Sequence, residues 1–211
     1  MKTLSTKSYL EQLSEWPKSG QHIMAHYDDE TIVVYQAYRH EIGNYASRHN
    51  YFGGDFCYNR MSWIKPNFLW MMYRSGWGTK EGQEIILAIT LKRSFFDEIL
   101  SKAISSTYQI SEYASREEWQ AAVAHSDVRL QWDPDHAPDG SCVARRAIQL
   151  GLRGKMLSRY GRDEILQIED ISKFVAEQRV NMQVNKPLTT PLEQPYRPQL
   201  GTENEQNKFQ H

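Results

Sequence analysis

Residues 60–77, Arg-Met-Ser-Trp-Ile-Lys-Pro-Asn-Phe-Leu-Trp-Met-Met-Tyr-Arg-Ser-Gly-Trp, constrain this chain more than any other segment. Three of the six Trp lie here, together with Met61, Met71 and Met72. Apolar side chains of this size are found inside folded proteins. Pro66 suits the first helical position, where a missing N–H costs nothing, and Gly76 suits a left-handed cap. The spacing therefore predicts a helix from Pro66 through Arg74. Phe68, Leu69, Trp70, Met71, Met72 and Tyr73 make it apolar nearly all round, so it is expected to be buried.

The cations set among these residues are harder to explain by packing. Lys65 immediately precedes the helix and Arg60 lies five residues earlier. A helix N-terminus already carries partial positive charge, so cations there make sense when something anionic binds. Arg60 and Lys65 are therefore candidate ligand-binding residues, with pairing to acidic side chains as the alternative. Arg74 is nine residues beyond Lys65, about 13 Å away along a helix axis at roughly 1.5 Å per residue. It is expected to satisfy the last helical carbonyls instead.

A chain of 211 residues is long enough for one sizeable domain with a full core. Its 25 Lys and Arg against 26 Asp and Glu give a formal net charge of -1. That balance argues against bulk, sequence-blind binding to nucleic acid or anionic membrane, and leaves room for a local basic patch. Two cysteines, Cys57 and Cys142, support neither a disulfide framework nor a Cys-rich zinc site. The apolar runs are far shorter than a bilayer span and no signal region follows the N-terminus. A cytoplasmic protein with no membrane partner is the expectation.

Tyr9, Leu10, Leu13 and Trp16 mark an accessory helix within residues 1–20. Thr31 to Tyr38 are β-branched and aromatic, as strands are. Alternation puts Ile32, Val34, Gln36 and Tyr38 on one face and Val33, Tyr35 and Ala37 on the other. Gln36 is then a polar group among core residues and needs partners. Asp28, Asp29 and Glu30 read as a turn. A helix over 39–50, a strand over 84–91 and helices opened by Ser94 with Asp97 and by Ser115 with Glu118 follow. The glycine-rich loop after Gly76 lacks the Walker spacing. Val128 to Trp132 read as a short strand closed by a turn at Asp133–His136, which is preferred over a metal site there. Strands over 144–152 and 164–171, a helix over 155–160 and a helix over 172–180 complete residues 21–180. In the last strand Gln167 and Glu169 share one face, Leu166 and Ile168 the other. Residues 181–211 carry four of the eight prolines and read as a disordered or surface-draped tail. The whole reads as a single α+β domain, with a mainly antiparallel sheet of about five strands and short flanking helices.

Four blocks together resemble a known family: residues 27–38, 60–77, 128–135 and 148–154. On these the chain is similar, over roughly residues 21 to 180, to the domain of unknown function 4291 family. The resemblance implies a single soluble domain and carries no catalytic residue across.

The residues themselves support a nucleotide-using enzyme as one reading. Arg60 and Lys65 would contact phosphate, while Gln36 and the aromatics Tyr35, Trp63, Tyr73 and Trp77 would line a base site. One concrete form is a transferase that splits NAD, since Gln167-Ile168-Glu169 has the Gln-x-Glu form of ADP-ribosyltransferases, with Glu169 stabilising the oxocarbenium ion. A second reading is a non-enzymatic module for RNA, single-stranded nucleic acid or a nucleotide. A third makes the aromatics core, the cations paired, and the function one of protein contacts. No nucleophile-elbow pattern supports a serine hydrolase.

Overall fold

The computed structural model describes residues 4–110 and 112–199. The chain begins with β1 (Thr6–Ser8), α1 (Tyr9–Glu15), β2 (Gly20–Gln21), β3 (Met24–Ala25), β4 (Thr31–Tyr38) and α2 (His40–His49). It continues with β5 (Ser62–Ile64), α3 (Phe68–Ser75), β6 (Ile85–Lys92), α4 (Arg93–Ser101), β7 (Ile104–Ser105) and α5 (Arg116–His125). Then come β8 (Val128–His136), β9 (Cys142–Leu152), α6 (Gly154–Arg162), β10 (Ile165–Asp170), α7 (Ser172–Gln183), β11 (Thr189–Pro191) and β12 (Gln194–Pro195).

The fold is α+β, but its strands do not form one five-stranded antiparallel sheet. An antiparallel sheet of three strands runs β10-β6-β4. A second sheet runs β2-β9-β8-β7, with β5 also on β9, and two of its pairings, β2–β9 and β7–β8, are parallel. The reason lies in β4 and β6, which are apolar on both faces and so need a layer on each side. Ile32, Val34, Leu87 and Ile89 pack toward Ile148, Leu150 and Leu130 of the second sheet. On the reverse face Val33, Tyr35, Ile86 and Ala88 pack under Phe68 and Met72 of α3 and Val175 of α7. The face assignment read from alternation in β4 is the one observed.

Several local readings need correction. Helix α3 starts at Phe68, not at Pro66, because the Asn67 side chain accepts a 2.6 Å hydrogen bond from the Trp70 N–H and acts as N-cap. Gly76 is the left-handed cap that the sequence predicts. Ser94 does not cap α4, which begins at Arg93. The Asp97 carboxylate accepts instead from the Tyr196 hydroxyl at 2.6 Å. The capping box at Ser115 is present, with Ser115 Oγ accepting from the Glu118 N–H.

Residues Asp133–His136 do not form a turn but extend β8. Beyond Leu130, β8 pairs with β9 alone among the described residues, an edge position where proline is tolerated, and a bulge follows Pro134. In β10 a bulge between Ile165 and Gln167 leaves Leu166 exposed, so Leu166 does not share the core face of Ile168. The side-chain amide of Asn50 holds that bulge: it accepts from the Ile168 N–H and donates to the Leu166 carbonyl.

The tail reading also changes. Residues 189–195 form β11 on β1 and β12 on β3. Tyr196 is buried in the main core, where Arg93 lies 5.1 Å above its ring. Residues 200–211 of the same expectation lie outside the described residues. The accessory helix, expected over residues 6–16, spans only Tyr9–Glu15 and follows a strand that the periodicity did not mark.

Candidate functional site: a cationic cleft where the sheets meet

One isolated backbone bridge joins the two main sheets among the described residues. Tyr35 N–H donates to the Lys65 carbonyl at 2.7 Å, and Lys65 N–H donates back to the Tyr35 carbonyl at 3.2 Å. Lys65 follows β5, the strand that joins the second sheet, and Tyr35 lies in β4. The seam is braced by Gln36, whose amide donates to Ser62 Oγ and the Trp63 carbonyl and accepts from the Tyr160 hydroxyl. The buried polar group that the strand pattern exposed therefore finds a full set of partners. Ser62 Oγ also meets the Tyr38 hydroxyl at 2.8 Å.

A cleft of about 540 Å³ opens along this seam. Four cationic side chains line it, Arg39, Arg60, Lys65 and Arg74, against one carboxylate, Asp55. Asp55 is engaged by Arg39 at 2.7 Å. Arg60 and Arg74 are exposed at the rim, while Lys65 is only 4% exposed. Trp63, Met61 and Met71 supply apolar wall. Gly151 makes room for two of them, since a Cβ there would stand 2.7 Å from Met61 Sδ and 3.1 Å from the Trp63 ring.

Lys65 is the unusual member. Three Lys or Arg side chains are buried among the described residues: Lys65, Arg93 and Arg145. Arg145 is paired with Asp135, its Nε donating to the carboxylate at 2.7 Å. Arg93 donates to the Tyr196 hydroxyl and the Arg197 carbonyl. Lys65 has no side-chain hydrogen bond and no carboxylate within 4.0 Å among the described residues. Burial pushes its ammonium down to about 8, the nearby Arg74 guanidinium pushes the same way, and Asp133 opposes both weakly. The Asp133 carboxylate is itself held by the amides of Gln131 and Gln149, each at 2.8 Å.

The helix N-terminus does not act as sequence reasoning supposes. Its acceptor is internal: the Glu193 carboxyl, from the loop between β11 and β12, accepts from the Phe68 N–H at 2.6 Å and from the Asn67 amide. Lys65 sits two residues before the N-cap, on the bridge to β4, and faces the cleft rather than the helix end. Arg74 belongs to the site after all. The axial distance was misleading because Lys65 is not on the helix axis. Met71 and Arg74, three apart on one face of α3, lie over the same opening.

The other predicted residues are dispersed. Tyr35 is fully buried and edge-on to Phe68. Its hydroxyl has no hydrogen-bond partner among the described residues, and burial holds it well above the usual phenol range. Tyr73 stacks on His136 at 3.5 Å and Trp77 donates to the Pro138 carbonyl, so both bind α3 to the β8–β9 hairpin. Gln167 and Glu169 lie on β10, where Glu169 is opposite Ala88, which is opposite Tyr35. Three strand spacings separate Glu169 from Lys65, about 14 Å. The structure thus brings together Gln36, Arg60, Trp63 and Lys65, and not Tyr35, Tyr73, Trp77, Gln167 or Glu169.

The family model for the domain of unknown function DUF4291 matches residues 22–196. The chain belongs to this family. The DUF4291 region takes in every cation of the cleft, and it extends past the resemblance seen in sequence to include Glu193 and Tyr196. Among curated proteins none matches the chain. Among the described residues no helix is long and apolar enough to cross a membrane, and no group of three His, Cys, Asp or Glu side chains is placed to hold a metal ion.

Proposed function

We propose that this DUF4291 chain binds a phosphate-bearing small molecule, with a nucleotide as the class that fits, in the cleft where the sheets meet. The observation that carries this reading is Lys65, a buried ammonium with no carboxylate within 4.0 Å among the described residues. A buried, unpaired cation costs several kcal/mol, and an anion from outside would relieve it. Arg60 and Arg74 at the rim add charge-assisted donors suited to phosphate. Trp63 offers a face for a base. The cleft volume falls in the range of small-molecule sites, about 300–1,000 Å³. These cations converge on one opening rather than spreading along a face, which favours a small ligand over a nucleic-acid strand. The NAD-splitting form of the reading draws no support from this geometry, since Glu169 lies on the far strand of the three-stranded sheet.

Titration with ADP, NAD and pyrophosphate, followed by calorimetry and by thermal shift, tests the proposal. At least one of them is expected to bind and to raise the melting temperature, with affinity falling as salt rises. Arg60→Ala and Arg74→Ala should each weaken binding about tenfold or more. If none of the three binds at millimolar concentration, or if both variants bind like the parent, the cleft is not a phosphate site.

A further inference from the structure

We infer that Lys65 is a nucleophile, and that the cleft accepts a phosphate-bearing aldehyde or ketone, such as a reducing sugar phosphate or a nucleotide ending in a reducing sugar, whose carbonyl forms an imine with the Lys65 amine. The inference rests on the phosphate-binding reading above and deepens it.

The geometry divides the cleft into two parts. Arg60 and Arg74 are exposed at its rim, while Lys65 is a buried residue of its lining whose backbone is held by the bridge to Tyr35. A lysine meant only to hold a phosphate is best left charged and hydrated. This one is largely desolvated by burial and lies near Arg74, and both effects favour the neutral amine. With the ammonium brought to about 8, about one amine in ten is uncharged at pH 7, against roughly one in three thousand for an ordinary lysine. Desolvation beside another cationic group is a recognised way to activate an amine for Schiff-base chemistry.

Attack at carbon suits the site better than attack at phosphorus. Phosphoryl chemistry gathers negative charge at the reacting atom and draws on metal ions held by carboxylates, and among the described residues the one carboxylate lining the cleft is Asp55, already bound to Arg39. In the carbonyl reaction the phosphate stays on the rim guanidiniums and the reacting carbon reaches Lys65. The Nζ lone pair attacks the carbonyl carbon, and the C–O π pair moves to oxygen. The carbinolamine then loses that oxygen as water, taking both amine protons overall, and the C=N bond forms. No oxidant or reductant enters.

The test uses the full chain with pyridoxal phosphate as probe, borohydride reduction and peptide mass mapping. Lys65 is expected to be the first lysine labelled, with a rate that rises through pH 8. Pyridoxal, which lacks the phosphate, should label Lys65 at least about tenfold more slowly, and Arg60→Ala with Arg74→Ala should bring the phosphate form down toward that rate. Lys65→Arg, whose guanidinium forms no imine, should lose the adduct. Labelling spread over surface lysines, or equal labelling of Lys65 by both aldehydes, overturns the inference. Pyrophosphate binding that persists in the parent without a Lys65 adduct overturns the imine and leaves the phosphate site standing. Loss of both removes the two together.

Discussion

At the scale of single residues, Lys65 makes the fold less stable than it would otherwise be. Its folded-state proton affinity is lowered from the ordinary 10.5 to about 8, which corresponds to a cost of at most roughly 3 kcal/mol at neutral pH. Lys65→Met fills similar volume without charge. It is expected to raise stability in urea unfolding at pH 7 by about 1–3 kcal/mol while abolishing the site's chemistry, the trade seen where function sets a residue against the fold. The difference should shrink as pH rises from about 8 to 10.5, because over that window the unfolded parent still holds the proton and the folded parent has released it. A Lys65→Met chain that is less stable than the parent at pH 7 would contradict this account. Gln36 is the opposite kind of residue, since every bond its amide makes serves the seam. Gln36→Leu leaves the Tyr160 hydroxyl and Ser62 without that amide and should cost about 2–3 kcal/mol, read from the same unfolding curves.

At the scale of elements, α3 depends on a residue more than a hundred positions away. Glu193 satisfies the Phe68 N–H, and burial raises its carboxyl well above the usual carboxylate range, although the Phe68 N–H and the charge of Arg145 oppose that rise. Glu193→Gln keeps an acceptor at the Phe68 N–H and is expected to be tolerated within about 1 kcal/mol. Glu193→Ala leaves buried donors without partners and should cost about 2–3 kcal/mol. The pH dependence has a definite sign. A carboxyl whose folded-state affinity is raised holds its proton in the native chain above the pH at which the unfolded chain has lost it. Stability contributed there is full at low pH and falls as pH rises through the raised folded value. Glu193→Gln should flatten that fall, and a parent and variant with parallel pH profiles would show that Glu193 does not titrate in this window.

At the scale of the whole molecule, the C-terminal segment closes the fold. It pairs β1 with β11 and β3 with β12, caps α3 and seats Tyr196 in the main core. A chain ended at residue 188 should therefore lose cooperative unfolding and expose apolar surface to a hydrophobic dye, whereas native-like melting of that chain would assign the segment no structural part. Local signals were enough to read the α+β class, the two buried faces of β4, the Gly76 cap and the Ser115 capping box. Each of these depends on side-chain period, on a left-handed backbone position or on a neighbour a few residues away. They also sufficed to single out Arg60, Lys65, Gln36 and Trp63, because polar and cationic residues inside an apolar stretch conflict with packing wherever the chain places them. The inclusion of Arg74, the exclusion of Tyr73, Trp77 and Glu169, the split into two main sheets and the internal carboxyl at the α3 N-terminus were decided only by tertiary structure. All four depend on contacts between segments far apart in sequence, and residue spacing carries no information about which distant strand edge, carboxylate or guanidinium will be brought alongside.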